Sequence, residues 1–223
     1  MSFSLLLAVG SVAAITYVGM RDHRAAKAAR RSVLDRCAGA LNAATLTHGA
    51  DHFPRLTGRH RGCEARVDLL CDTMTIRRLP QLWMSTTLLD QNPDLPGFAI
   101  LVRPAGTEFY SLTSRFEHRL ETPLGFPHEV LIRGDAGAAP LLDELRAILS
   151  DVLADPRIKE VAVTPRGLRI IRQAAEGKRG DHLLLRQSVF ENASVPHGDL
   201  ARVLDHLQSI RAVIGARAKA RAA

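Results

Sequence analysis

Apolar residues run almost unbroken through the first twenty positions, where Phe3, Leu5, Leu6, Leu7, Val9, Val12, Ile15 and Val18 occur with no charged residue among them. A helix rises about 1.5 Å per residue, so this stretch just reaches across the roughly 30 Å hydrocarbon core of a bilayer. Residues 1–20 therefore predict a single transmembrane anchor. Ser4, Ser11 and Thr16 are tolerable there because a hydroxyl can bond back to a carbonyl one turn earlier, and Tyr17 falls where aromatic rings favour the interface. The pattern changes at Arg21. From there to Leu46 the chain is Ala-rich and free of proline, and Val33, Leu34, Cys37, Leu41 and Ala44 recur at helical spacing. This predicts a basic juxtamembrane helix over 21–48, closed by Gly49 and Pro54.

Beyond Asp51 the period shortens. Pro54–Arg59 and Cys63–Leu69 alternate apolar and charged side chains around a His60–Gly62 turn, the pattern of a half-buried hairpin. Leu82–Leu89 and Phe98–Val102 read as strands separated by the Asp90–Gly97 loop, in which two prolines and a glycine stop regular structure. Phe109, Leu112, Phe116 and Leu120 fit a short amphipathic helix, and the same residues could extend as a strand. Glu129–Arg133 reads as a further strand. Leu141, Leu142, Leu145, Ile148, Leu149, Val152 and Leu153 then mark the clearest helix, with Pro140 in its first turn and Pro156 just past its end. A second hairpin pairs Ile158–Val163 with Leu168–Arg172 across Pro165–Gly167. Ala174–Gly180 is a polar connection and His182–Phe190 another strand. Leu200 to Ile214 form the last amphipathic helix, stopped by Gly215, and residues 216–223 form a basic tail.

The order of these elements predicts an α+β fold: an N-terminal transmembrane helix, then a mostly antiparallel sheet with helices packed on one face over 51–215. The long alternating βα units of a doubly wound parallel sheet are absent. With 46% hydrophobic and 24% charged residues, the chain is neither wholly disordered nor a multi-spanning membrane protein.

The net charge of +7 would suggest nucleic acid, but its position matters more than its size. Arg21–Arg36 carries six basic residues against Asp22 and Asp35, and Arg217, Lys219 and Arg221 supply the rest, so the block from Cys37 to Ala216 is neutral. Aromatic residues make up only 4% of the chain, which leaves no stacking platform for single strands. Nucleic acid is therefore not an expected partner. The basic cluster lies entirely on the C-terminal side of the apolar run, which retains that side in the cytoplasm. Tyr17, Arg21, Arg24, Lys27, Arg30 and Arg31 form the expected membrane-interface set, the cations also attracting anionic headgroups. A cleaved signal peptide is a rival reading, with Ala8–Gly10 or Ser11–Ala13 as small-residue sites, though it lacks the usual positive n-region. A buried N-terminal helix is a third.

Gly58-Arg-His-Arg-Gly62 opening a strand, Pro80-Gln-Leu-Trp83, Ile132-Arg-Gly-Asp135 before a Leu-rich helix, and Lys159-Glu-Val with Arg166-Gly-Leu-Arg169 resemble a pattern in uncharacterised bacterial membrane-tethered proteins. The resemblance covers most of the chain beyond Asp51. It implies a bacterial inner-membrane location but carries no activity and no functional residue.

Candidate chemistry is sparse. Cys37, Cys63 and Cys71 form no Cys-x-x-Cys pair, and Cys63 and Cys71 share a strand face and read as core thiols. His48, Asp51, His52, His60 and Cys63 are close in sequence, but Gly49 interrupts any helical His pair, so loop histidines are the simpler reading. Gly177–Gly180 reads as an exposed turn, Arg77-Arg78 as a solvated strand end, and Glu64, Asp68 and Asp72 as one solvated sheet face. No nucleophile elbow, P-loop or zinc-protease motif occurs. The sequence predicts no cofactor, no metal and no catalytic residue. It predicts a single-pass protein whose cytoplasmic domain binds a protein or lipid-surface partner at the inner leaflet. The alternatives are a membrane-tethered enzyme using the Asp90–Gly97 and Pro123–His128 loops, and an accessory subunit of a membrane complex.

Overall fold

A computed structural model describes residues 3–73, 79–177, 190 and 193–222, with side chains from Gly10 to Ala220. Helix α1 (Phe3–Arg31) leads through a 3₁₀ turn (Asp35–Ala40) to β1 (Asn42–His48), β2 (Pro54–His60), β3 (Cys63–Asp72), β4 (Gln81–Leu89) and β5 (Phe98–Val102). After a second 3₁₀ turn (Thr113–Arg115) come β6 (His118–Arg119), β7 (Val130–Gly134), α2 (Ala139–Glu144), α3 (Arg146–Leu153), β8 (Ile158–Thr164), β9 (Gly167–Glu176) and α4 (His197–Ala222). Among the described residues nine strands form one sheet in the order β1-β2-β3-β4-β9-β8-β5-β7-β6, antiparallel at every step. The expected α+β class with a large antiparallel sheet is present.

Period-two alternation sends Leu56, Val67, Met84, Ile100, Val161 and Ile170 to one face. There they meet Leu145, Leu149 and Val152 of the α2–α3 pair and Leu200, Leu204 and Leu207 of α4 in a single core. Strands β4, β5 and β8 are buried along nearly their whole length, because their second face is covered too. The segment 103–117 crosses it, packing Tyr110 on Trp83 and Ile171, and Phe116 on Ala99 and Ala162. At the β8–β9 turn, Gly167 has φ +143 and an added Cβ would lie 2.2 Å from the Leu88 carbonyl oxygen, so only glycine fits.

Several expected elements come out differently. The juxtamembrane helix expected over 21–48 ends at Arg31, and its second half becomes β1. Ala-rich helix propensity yields there to pairing of Asn42–His48 with β2, where Thr45 and Thr47 suit a pleated strand. The Phe109–Leu120 helix is absent. Its backbone groups are claimed by side chains of other elements: Glu160 accepts the Leu112 N–H (3.0 Å) and Arg169 donates to the Tyr110 carbonyl (2.9 Å). The long helix from Leu141 is divided at Leu145. Strand β9 continues to Glu176, into the segment read as a connection. Gly215 does not stop α4, which continues to Ala222; Ile214 is buried and Arg217 pairs with Glu144 at 2.9 Å on the following turn. Of the expected strand His182–Phe190, all but Phe190 lies outside the described residues, as does Arg77-Arg78.

Among the described residues no helix is long and apolar enough to cross a membrane. The predicted span depends on Leu5, Leu6 and Leu7, which precede the described side chains. From Gly10 to Met20 the uncharged stretch would cover only about half of a hydrocarbon core.

Candidate functional site

Two groups of side chains stand out from the core packing: the basic end of α1 with the turn it rests on, and a set of buried charges on the second face of the sheet. The first contains the six residues expected at an interface. From Gly10 to Ala25 every residue of α1 is exposed among the described residues; Ile15 is 72% and Tyr17 69% exposed. Contact begins one turn later. Ala26, Ala29 and Val33 line a cavity of about 20 Å³ with Phe53, Phe190 and Ala193, and the Phe53 and Phe190 rings lie 6.3 Å apart.

Docking through Ala26, Ala29 and Val33 sets the rotation of the helix. At 3.6 residues per turn, Tyr17, Arg21, Arg24, Lys27 and Arg31 follow the side away from that contact. Arg30 departs from the set: its guanidinium lies over the Phe53 ring, 5.5 Å from the centroid. Arg21 pairs with Asp22 at 3.2 Å on the exposed surface. The β1–β2 turn closes against the end of α1, where His48 Nε2 donates to the Arg31 carbonyl (3.4 Å) and Asp51 accepts the Phe53 N–H (3.2 Å). His52, held at φ 66, has its pKa lowered by desolvation and by the neighbouring Lys27, Arg31 and Arg30. The expected interface residues thus belong to one basic helix end, with five of them on its outer side and Arg30 turned inward.

The second group was not legible as a site. A bulge between Ile158 and Glu160 adds Lys159 to β8 and turns two consecutive charges to the covered face. Lys159 Nζ donates to the carbonyls of Val102 (2.9 Å) and Arg103 (2.6 Å) and pairs with Glu108 at 2.8 Å. Glu160, fully buried, pairs with Arg169 and accepts the Leu112 N–H. These bonds strap 103–117 across the sheet. The one sequence signal was the adjacent Lys159-Glu160 inside an otherwise apolar strand.

Arg172, three residues beyond Arg169 in β9, bonds Asp155 (2.7 Å) and Asp199 (2.9 Å), tying the α3–β8 turn to the first turn of α4. Behind it, Cys37 donates its S–H to the Val195 carbonyl (3.3 Å); burial, with Asp199 adding, pushes its thiol up to about 11, so it stays protonated and unreactive.

The remaining candidates scatter. His60 approaches Asp205 at 3.9 Å, Cys63 is buried, and His48, Asp51 and His52 sit at the β1–β2 turn; no group of three or more His, Cys, Asp or Glu among the described residues could hold a metal ion. Asp68 bridges Arg55 and Arg66 on the open face of β2–β3, while Asp72, expected beside it on a solvated face, is buried. Asp90, Gln91 and Asn92 border an open groove of about 500 Å³ along the end of α4, where Arg211 bonds Asp90 at 2.9 Å. No residue of Pro123–His128 lines that groove. The two loops expected to build an enzyme site are not brought together in it.

Acid sensitivity follows from the buried charges. Burial raises the Glu108 carboxyl, but the Lys159 ammonium and the Ala105 N–H outweigh it and hold the group below its ordinary range. Burial likewise raises Asp155, and Arg172 together with the Arg157 N–H lowers it further. Both therefore contribute stability above the unfolded carboxylate pKa of about 4, and that stability is lost as pH falls through the lower folded values. His206, lowered by burial and by Arg202, adds a loss that begins near 6.5, since the unfolded chain takes up that proton first. The urea midpoint is expected to fall steadily from pH 7 to pH 3. A midpoint that rises over this range would contradict the assignment.

No protein-family model, no curated protein and no solved structure matches the chain.

Proposed function

We propose that the protein is a single-pass component of a bacterial inner membrane, anchored by residues 1–20, whose cytoplasmic α+β domain acts as a binding module for a protein partner at the inner leaflet. The observation that carries this reading is the start of α1: among the described residues Gly10 to Ala25 is exposed throughout, the apolar Val12, Ile15, Val18 and Met20 included, and the uncharged run continues back through Leu5–Leu7. A helix that is apolar all round belongs in a protein core or a lipid one, and Gly10–Met20 is exposed among the described residues.

The orientation rests on the outer stripe. Arg21, Arg24, Lys27 and Arg31 follow the apolar run, and no Lys or Arg precedes it. On a helix standing in the bilayer, Tyr17, Arg21 and Arg24 fall at the headgroup layer, and each cation held near an anionic surface contributes about 1 kcal/mol. Binding is favoured over catalysis because the buried carboxylates Glu108 and Glu160 and the half-buried Asp155 are already paired with Lys159, Arg169 and Arg172. The polar face of β1–β3, with Arg55, Arg59 and Arg66, is left open.

The test is a reporter fused to Ala223 that is active only in the cytosol. It is expected to be active in the native chain and to lose most of its activity in R21Q/R24Q/K27Q/R30Q/R31Q, which removes the orienting charges. A reporter active only outside the cytosol in the native chain would overturn the topology.

A further inference from the structure

We propose that the free edge of β1 is a self-association surface, where two copies of the chain join antiparallel through β1, with Leu46 on the two-fold axis, and their sheets continue as one. Among the described residues β1 is the last strand of the sheet, and all of its residues except Leu46 are exposed. Its phase against β2 fixes which backbone groups are available. The Gly49 N–H donates to the Phe53 carbonyl at 3.2 Å, so Thr47 with Arg55, and Thr45 with Thr57, exchange bonds across the hairpin. The alternate residues Ala44, Leu46 and His48 then turn their N–H and C=O groups outward. Pro54 opposite His48 agrees with this phase, since it has no N–H to give.

Exposed edges are normally blunted by charge, proline, shortness or cover. The opposite edge follows that rule, because β6 has only two residues, one of them Arg119. Strand β1 does not: Asn42-Ala-Ala-Thr-Leu-Thr-His48 contains no Asp, Glu, Lys, Arg or Pro in a chain that is 24% charged. An edge without charges has nothing to repel its own copy. The charged side chains of β2 and β3 lie one and two strands farther in, about 5 and 10 Å away, so identical copies can meet without opposing like charges.

The register follows from the bulge. The β1–β2 ladder shifts between Asn42 and Thr45, with Ala43 at φ 50, which leaves Thr45–His48 as the regular ladder and Ala44 at its start, beside the bulge. All three outward residues find partners in only one antiparallel arrangement. Leu46 faces Leu46 of the partner subunit, Ala44 exchanges bonds with the partner's His48, and Thr45 stands directly opposite the partner's Thr47. The axis is then isologous, as in the commonest oligomers. Helix α1 takes no part, so the pairing does not rest on the membrane reading.

Light scattering on the purified full chain in detergent tests it. The native chain is expected at twice the protein mass of a monomer. T45K/T47K and T45E/T47E each place like charges opposite one another at exposed positions and are expected to dissociate at least tenfold more readily, with unchanged circular dichroism. Mixing the two variants is expected to restore the dimer. Oxidising a mixture of T45C and T47C chains is expected to cross-link the two to each other, at a pair about 4.5 Å apart between Cα atoms, several-fold more than either variant alone. A monomeric native chain, lysine and glutamate variants that stay dimeric, a mixture that stays monomeric, or equal cross-linking within each single variant would overturn the proposal.

Discussion

Deleting residues 2–20 is expected to move the protein from the alkaline-washed membrane pellet to the supernatant almost completely, while the domain keeps its fold. The reason is the division of labour within α1. The described contacts with the body are made by Ala26, Ala29, Val33 and Arg30 over Phe53, while Gly10–Met20 is exposed, so the deletion spares those contacts. What is lost is the apolar surface itself, about 0.8 kcal/mol per buried methylene-sized group summed over a run containing Leu5, Leu6, Leu7, Val9, Val12, Ile15 and Val18. The remaining stripe of Arg21, Arg24, Lys27 and Arg31 retains only a salt-sensitive attraction to anionic vesicles, which about 1 M salt screens to a range of roughly 3 Å. Fractionation after a carbonate wash reads the first effect and vesicle sedimentation with and without salt reads the second. Release of the native chain itself by carbonate would remove the anchor from the account.

Replacing Glu160 with alanine is expected to cost about 3–5 kcal/mol, the largest loss from any single side chain outside the hydrophobic core. Glu160 is fully buried, its carboxylate neutralises Arg169, and it accepts the Leu112 N–H that would otherwise be satisfied by a helix or by water. E160A therefore leaves a cation and a backbone donor without their partner in a low-dielectric site. It also loosens segment 103–117, since Arg169 is the donor to the Tyr110 carbonyl. Against a typical total stability of about 5–15 kcal/mol, the domain would be marginal at growth temperature. E160M/R169M, which replaces the pair with apolar side chains of similar length, is expected to recover part of the loss, because removing both charges strands neither, while the Leu112 N–H and the Tyr110 carbonyl still lose their partners. Urea unfolding gives the ranking native, double variant, E160A. A double variant less stable than E160A would show that the pair matters through geometry and not through charge balance.

Most strands and both amphipathic helix regions were legible along the chain because their information is local. Alternation in Cys63-Glu-Ala-Arg-Val-Asp-Leu, the glycine at position 167 in a tight turn, and the leucine spacing from Leu141 and from Leu200 each state a period and a boundary within a few residues. The same holds for the basic stripe, whose residues share a helix face by spacing alone. Its inward member was not legible, because Arg30 turns to Phe53, a residue beyond the intervening strand.

What the amino-acid order determined by itself was the class of fold, the position of its charges and the apolar character of its first twenty residues, all of which depend on neighbours within a turn or a strand. Only the tertiary structure decided that Asn42–His48 pairs as an edge strand instead of extending an alanine-rich helix, that α4 passes through Gly215, and that the Lys159 bulge buries paired charges beneath 103–117. In each case the deciding partner, β2 for β1, Glu144 for Arg217, Glu108 for Lys159, lies outside the residue's own element, across a hairpin turn for β2 and far along the chain for the other two, and its energy outweighs a local preference of a few tenths of a kcal/mol per residue.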